Sequence, residues 1–275
     1  MQPNDTVKLI ILTDLHITPP DETILGISPL KRLSSAIDHI NLHHADADRV
    51  IVTGDIAHYG DVPSYQYAKQ ELDRLTLPKT MLIGNHDRRE NFAEVFADAS
   101  LDASGFAQSA IDIGAWRLVF LDTLNGPPYD RDNAHAGILC SSRLAWLDGA
   151  LSEADGRRTL LFMHHPPHKV GFSGMDRIRL SNERDFFRLI GKYRCVRHIV
   201  CGHIHRTISG TIHGIGFSVF KSPVHQQPML FDTDDTSASI AEPAAYGILF
   251  ATTHSVLAHT EDYEISAALM EPKSV

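Results

Sequence analysis

Little in this sequence speaks for secretion, membrane insertion or nucleic-acid binding. Cysteine is scarce: Cys140, Cys195 and Cys201 are the three in 275 residues, and none has C-x-x-C spacing. An odd, scattered set excludes a disulfide framework and a thiolate zinc site, and reads as reduced core thiols in a reducing compartment. No apolar run approaches the roughly 18–20 residues that a membrane-spanning helix needs. The start, Met1-Gln2-Pro3-Asn4-Asp5, lacks the basic and apolar regions of a signal peptide. Together these absences point to the cytoplasm. Positive charge is short as well, with 25 Lys and Arg against 34 Asp and Glu. The net charge of −9 leaves no basic face for general nucleic-acid binding. Against two tryptophans and six methionines, seventeen histidines stand out. Histidine is the commonest metal ligand and the usual proton carrier near neutral pH.

At 43% hydrophobic, the chain can bury one large core. No repeat or long linker divides it, so we read residues 1–275 as a single domain with a C-terminal extension from about residue 222. Its organising stretch is Arg49-Val50-Ile51-Val52-Thr53-Gly54-Asp55, a β-branched run that stops on Gly and a carboxylate. That pattern predicts a buried strand delivering Asp55 to a sheet end. Four further runs behave alike. Val7–Leu12 ends in Thr13-Asp14-Leu15-His16, and Thr80–Ile83 in Gly84-Asn85-His86-Asp87. Thr159–Met163 ends in His164-His165-Pro166-Pro167, and His198–Cys201 in Gly202-His203-Ile204-His205. Helical spacing over Pro29–His44, Pro63–Leu75, Arg88–Ala97, Ser141–Ala154 and Asn182–Lys192 alternates with these runs. The alternation predicts an α/β fold with parallel segments. Ala110–Ile113 with Trp116–Leu121, and Thr207–His213 with Phe217–Phe220, read as hairpins. Ala245–Thr252 and Ser255–His259 return to strand pattern, and Glu271–Val275 reads as a frayed tail.

Sites in α/β sheets form at the carboxyl ends of strands, so the five ends are expected to converge. Asp14 and His16 are two apart, as are His203 and His205. On an extended chain each pair points one way and could grip an ion. Asp55 could bridge, Asn85 offers a carbonyl oxygen, and His164 a further nitrogen. A mixed O/N set suits iron, manganese, zinc or cobalt better than calcium. Seven ligands with one shared carboxylate serve two ions. Two such ions can present a hydroxide and neutralise a phosphoryl group. His86 is placed to serve the leaving oxygen. Asp87 is expected to orient His86 or to cap the helix after it.

Asp-x-His, Gly-Asp, Gly-Asn-His-Asp, His-His-Pro-Pro and Gly-His-x-His, in that order over residues 7–206, resemble the calcineurin-like metallophosphoesterase superfamily. The His-His-Pro-Pro form and Pro223-Val224-His225-Gln226 are most similar to its bacterial class III phosphodiesterase branch. The resemblance implies a four-layer αββα sandwich of two mixed β-sheets flanked by helices. It implies that Asp14, His16, Asp55 and His205 hold one ion, and that Asp55, Asn85, His164 and His203 hold the other. His86 and Asp87 would be catalytic, and Asn85, His86 and His225 would meet the substrate. The implied activity is hydrolysis of small phosphodiesters, glycerophosphodiesters or cyclic nucleotides, by hydroxide attack. A paired-arginine clamp for a monoester dianion has no matching motif here, since Arg88 and Arg89 do not fit one. A phosphomonoesterase of the same fold and a non-catalytic metal-binding scaffold are the alternatives.

The small diester is the expected partner, with no nucleic-acid or membrane binding and a possible homo-oligomer. Specificity is expected to lie in Ile17–Ser28, Leu124–Gly137, Lys169–Met175 and the residues after Ser222. Taken singly, each motif reads more readily as a turn or helix cap. His135, His168, His213, His254 and His259 read as surface or satisfied core residues, and His58 is evenly balanced between loop and site.

Overall fold

A computed structural model of the chain describes residues 6–97, 99, 101–130 and 132–265. The tail Glu271–Val275 lies outside these, as does the start Met1–Asp5. β1 (Val7–Leu12), α1 (Pro29–His43), β2 (Arg49–Thr53), α2 (Val62–Leu72), β3 (Lys79–Leu82) and α3 (Arg89–Val95) form the first half. β4 (Ser109–Ile113), β5 (Trp116–Leu121), α4 (Ser141–Ser152), β6 (Arg158–Met163), α5 (Glu183–Ile190) and β7 (Val196–Cys201) follow. The chain closes with β8 (Ile208–Ile212), β9 (Ile215–Val219), β10 (Tyr246–Ala251) and β11 (Val256–Glu261).

The strands make two mixed sheets. One has the order β11-β10-β1-β2-β3, the other β4-β5-β6-β7-β9-β8. β1, β2 and β3 are parallel, as are β5, β6, β7 and β9. β10 joins antiparallel to β1, so the C-terminal hairpin completes the first sheet.

Side-chain alternation along the strands explains the layering, because successive residues face opposite sides of a sheet. In β1, Leu9 and Ile11 enter the core between the sheets, while Ile10 and Leu12 pack under α1 and α2. In β6, Leu160 and Phe162 face the other sheet, and Leu161 and Met163 face α4 and α5. Three apolar cores thus separate four layers, αββα. Strands covered on both faces read as unbroken apolar runs, which is why β2 shows no polar alternation. Ser28 caps α1 by accepting from Lys31 N, with Pro29 as the first helical residue. α2 stops at Leu72, short of Leu75, because Arg74 N and Leu75 N donate three residues back and tighten the chain. No helix among the described residues is long and apolar enough to cross a membrane.

All three cysteines are free, yet Cys201 alone is fully buried; Cys140 and Cys195 are half-buried at the starts of α4 and β7. The expectation of three core thiols is corrected to that extent. Burial raises the Cys140 thiol, but bonds to Ser142 and Arg143 outweigh it and bring it down to about 7. Burial pushes Cys201 far up. Alkylation of the native protein at neutral pH should therefore label Cys140 early and Cys201 after unfolding. Peptide mapping reads the order, and early labelling of Cys201 would contradict it.

Candidate metal centre

The strand ends meet at one edge of the sandwich. After β1 and β2 the ladder continues irregularly, with Asp14 N donating to Gly54 O and His16 N to Asp55 O. Asp14, His16, Asp55, His203 and His205 all have positive φ, between 43° and 72°. Left-handed backbone costs a residue with a Cβ about 1–3 kcal/mol and collects at functional sites. The spacing predicts extended chain, and the backbone there is left-handed instead. Asp14 and His16 share a direction through two left-handed turns, not through extended chain.

Asp14, His16, Asp55 and His205 each offer a ligand atom within 4.8 Å of the others. His205 Nε2 lies 3.3 Å from Asp14 Oδ1, and His16 Nε2 lies 3.1 Å from His205 Nε2. The remaining residues stand on the other side of Asp55. Asp55 Oδ2 is 3.3 Å from His164 Nε2 and 3.7 Å from His16 Nε2. Asn85 Oδ1 lies 3.1 Å from His164 Nε2, and the His164 and His203 rings are 5.1 Å apart. All seven residues named from sequence are thus brought together, with Asp55 between two sets. Glycine makes this possible at Gly84, where a Cβ would stand 2.3 Å from Asp55 Oδ1 and 2.6 Å from His164 Nε2.

The supporting contacts aim ring nitrogens inward. His164 Nδ1 donates to Thr53 O at 2.9 Å and His205 Nδ1 to His225 O at 2.9 Å. A ring that donates from Nδ1 presents the lone pair of Nε2, the tautomer a metal needs. The Nε2 of His203, a residue 4% exposed, is buried without a hydrogen-bond partner. Two buried carboxylates, several imidazoles and an unmatched nitrogen make a costly cluster. Cations would satisfy it, so the donor set fits a metal centre.

Electrostatics agree. Burial disfavours charge on His164 and His205, but Asp55 and Asp14 respectively outweigh it and raise both. Burial, reinforced by neighbouring imidazoles, holds His16 and His203 well below the usual range. Metal must displace protons from His164 and His205, so affinity should fall as pH falls. Adding Mn²⁺ to metal-free protein in weak buffer should release protons, which a pH-stat records. Uptake without release would contradict this pairing.

The cavity over the cluster holds about 450 Å³. All four loops expected to set specificity reach it, through Ile24 and Leu25, His135, Met175, and the run from His225 to Ser239. Residues 228–241 form a strap, with Ser173 N bonded to Phe231 O, Arg177 paired with Asp234, and Phe172 stacked on Phe231. His225 lines the cavity 4.5 Å from the His205 ring; burial, then His205, pushes it down to about 3. His86 lines it too, and its Nδ1 donates to His58 O at 2.8 Å.

Asp87 is a correction. Its carboxylate is fully buried and accepts from Ile56 N, Ala57 N, Gly84 N and the Tyr65 hydroxyl. It ties the Asp55 turn to the Asn85 turn, and His58 O orients His86 in its place. Nor does it cap α3, whose N-cap is Arg88 without a side-chain bond. Burial and then the Asp55 charge raise Asp87 to about 6.

Sequence reasoning missed His135 and His165 and left His58 undecided. His58 Nδ1 faces His16 Nδ1 at 3.1 Å, and His135 Nδ1 faces Asn85 Nδ2 at 3.1 Å. His165 holds the His135 carbonyl through Nε2, and Thr123 through Nδ1. The closeness of His58 to Asp55 in sequence was a usable signal, whereas His135 sits in an irregular loop with none.

Comparison with known proteins gives one family and one fold. A family model described as calcineurin-like phosphoesterase matches residues 7–207. A probable cyclic nucleotide phosphodiesterase of Rhodopseudomonas palustris is 42% identical over 221 residues, covering 80% of this chain and 79% of that protein. A probable glycerophosphodiester phosphodiesterase of Arcobacter nitrofigilis is 30% identical over 260 residues, covering 93% and 92%. Among solved structures, a dimetal phosphatase of Danio rerio superposes with a TM-score of 0.68 at 15% identity, covering 93% of this chain and 96% of that one.

Proposed function

This chain belongs to the calcineurin-like phosphoesterase family, and from that premise we propose a dinuclear metal-dependent phosphodiesterase for small diesters, cyclic nucleotides foremost. The observation that carries the reading is the gathering of six donor residues on two sides of a seventh, Asp55. Asp14, His16, Asp55 and His205 would hold one transition-metal ion, and Asp55, Asn85, His164 and His203 a second. The mixed oxygen and nitrogen donors suit iron, manganese, zinc or cobalt. When bound, such ions supply positive charge against phosphoryl oxygens and make water more acidic.

The chain's own residues do the rest. His86, anchored through Nδ1, keeps Nε2 to pass a proton to the leaving oxygen. Asn85, His86 and His225 meet the substrate. Ile24, Leu25, Met175 and Ile178 give the cavity an apolar wall suited to a nucleobase, and Thr236 to Ser239 add hydroxyls. Its volume lies within the usual range for a small-ligand site. No lysine or arginine is among its described lining residues. Arg89 is locked on Asp122 through Nε and Nη2, and Arg88 lies over Tyr129. Among the described residues a monoester dianion finds no guanidinium here, and a singly charged diester needs none. The free thiols suit a reducing compartment, and the reading places the enzyme in the cytoplasm.

Rates on bis(p-nitrophenyl) phosphate and p-nitrophenyl phosphate, with bound metal quantified, test the class. The diester should lead by about tenfold or more in kcat/KM, roughly 1.4 kcal/mol of transition-state preference. Metal-replete protein that cleaves no diester rejects the proposal. A panel of 3′,5′-cyclic AMP and glycerophosphodiesters then tests the substrate. His86→Ala should retain its metal and lose about 10²–10⁴ in kcat. Loss of metal in that variant would make His86 a ligand instead.

A further inference from the structure

At the opposite end of the sandwich lies a second cavity of about 420 Å³. Arg158 begins β6 there, Arg197 and His198 lie at the start of β7, and the turn Thr252–Ser255 joins β10 to β11. Trp116 forms part of its wall, and no carboxylate among the described residues does. The arginines are unlike their neighbours. Arg117 and Arg157 each pair with Asp112. Arg158 and Arg197 have no ion-pair partner among the described residues of a chain whose net charge is −9. His198 is 8% exposed and bonds Ser218 Oγ through Nε2, and no partner engages its Nδ1. The serine hydroxyl can donate to Nε2 or accept from it, so an anion in the cavity would select the tautomer whose Nδ1 carries the proton. Gly216 leaves that nitrogen room, since a Cβ there would stand 2.6 Å from it.

We propose that this cavity is a binding site for a small phosphate ester. Two guanidiniums, an imidazole N–H and threonine and serine hydroxyls, brought from two strands and a turn, can surround a tetrahedral anion. The space exceeds what phosphate alone fills, and Val256 and the buried Trp116 border the remainder, which an organic group could occupy. The site is separate from the metal centre and stands without any reading of it. β6 and β7 nonetheless run from Arg158 and Arg197 to the residues preceding His164 and His203, about 20 Å of strand. An occupant is therefore placed to bear on both.

The metal-loaded Trp146→Phe protein tests this, because Trp116 is then its one tryptophan. Titration with inorganic phosphate and with adenosine 5′-monophosphate should give a saturable change in emission. The ester should bind more tightly, because its organic group fills the space beside Trp116 and Val256; equal affinity would reduce the site to a phosphate site and overturn the ester assignment. Arg158→Gln with Arg197→Gln should weaken both probes at least about tenfold, a loss of roughly 1.4 kcal/mol. Diester hydrolysis by that variant, without added phosphate, should stay at the parent rate and so show that the fold is intact. No saturable change up to about 10 mM, a concentration that still detects binding weaker than 4 kcal/mol, would overturn the proposal. A change that persists in the double variant would overturn it as well.

Discussion

Asp55→Asn should abolish most phosphodiesterase activity, by at least about 10³-fold in kcat/KM, without unfolding the protein. The substitution keeps the volume of the side chain and an oxygen for the bond from His86 N, at 2.8 Å in the native protein. It removes the charge that faces His16 and His164 together. Burial opposes that charge, and His164 foremost among the neighbouring imidazoles overcomes the opposition and holds Asp55 well below the usual carboxylate range. In metal-free protein the amide removes one partner of a buried pair whose charge the fold favours, so the unfolding midpoint at neutral pH should fall. With metal, the set that includes Asp14 loses one of its two carboxylates and the other set loses its only one, so occupancy should fall at both, and most at the second. Activity assays, metal analysis and thermal unfolding of one preparation separate these effects. A variant with full metal content and near-native rate would remove Asp55 from the centre.

Gly84→Ala should be nearly as damaging, although it adds one methyl group and no charge. The new Cβ would meet Asp55 Oδ1 at 2.3 Å and His164 Cε1 at 2.6 Å. Neither atom is the free end of a flexible chain. Asp55 Oδ1 is held by His86 N, and the His164 ring by Thr53 O. One must move by something near 1 Å, and a shift of that size costs about 10²-fold in rate. Gly149→Ala is the matching control. Gly149 lies inside α4, and a Cβ there meets nothing within 4 Å. That variant should keep its activity and gain about 0.5–1 kcal/mol, because alanine gives up less backbone entropy in a helix. Equal outcomes for the two alanines would mean that close packing behind the metal donors is unimportant.

Much of this site was legible because its residues stand where strands end, and strand ends show in sequence as apolar runs broken by Gly, Asp, Asn or His. Asp14, His16, Asp55, Asn85, His164, His203 and His205 were all named that way, and the structure gathers them. The two-sheet layering followed from the resemblance, and the structure explains it through alternation such as Leu160 and Phe162 against Leu161 and Met163. The residues that escaped are those whose position depends on loop shape. His135 reaches Asn85 from an irregular loop, and the Thr236–Ser239 strap returns over the cavity through pairings such as Gln226 with Ile240. Neither has a period to read. Asp87 was misread for a related reason. Adjacency to His86 says nothing about direction in a turn, and its carboxylate points back to Ile56, Ala57 and Tyr65.

Anomalous diffraction from crystals of the manganese-loaded protein tests the central claim most directly. The account predicts two metal peaks, both bonded to the carboxylate of Asp55, one also to Asp14, His16 and His205 and the other also to Asn85, His164 and His203. A single peak, or two peaks that do not share Asp55, would contradict it.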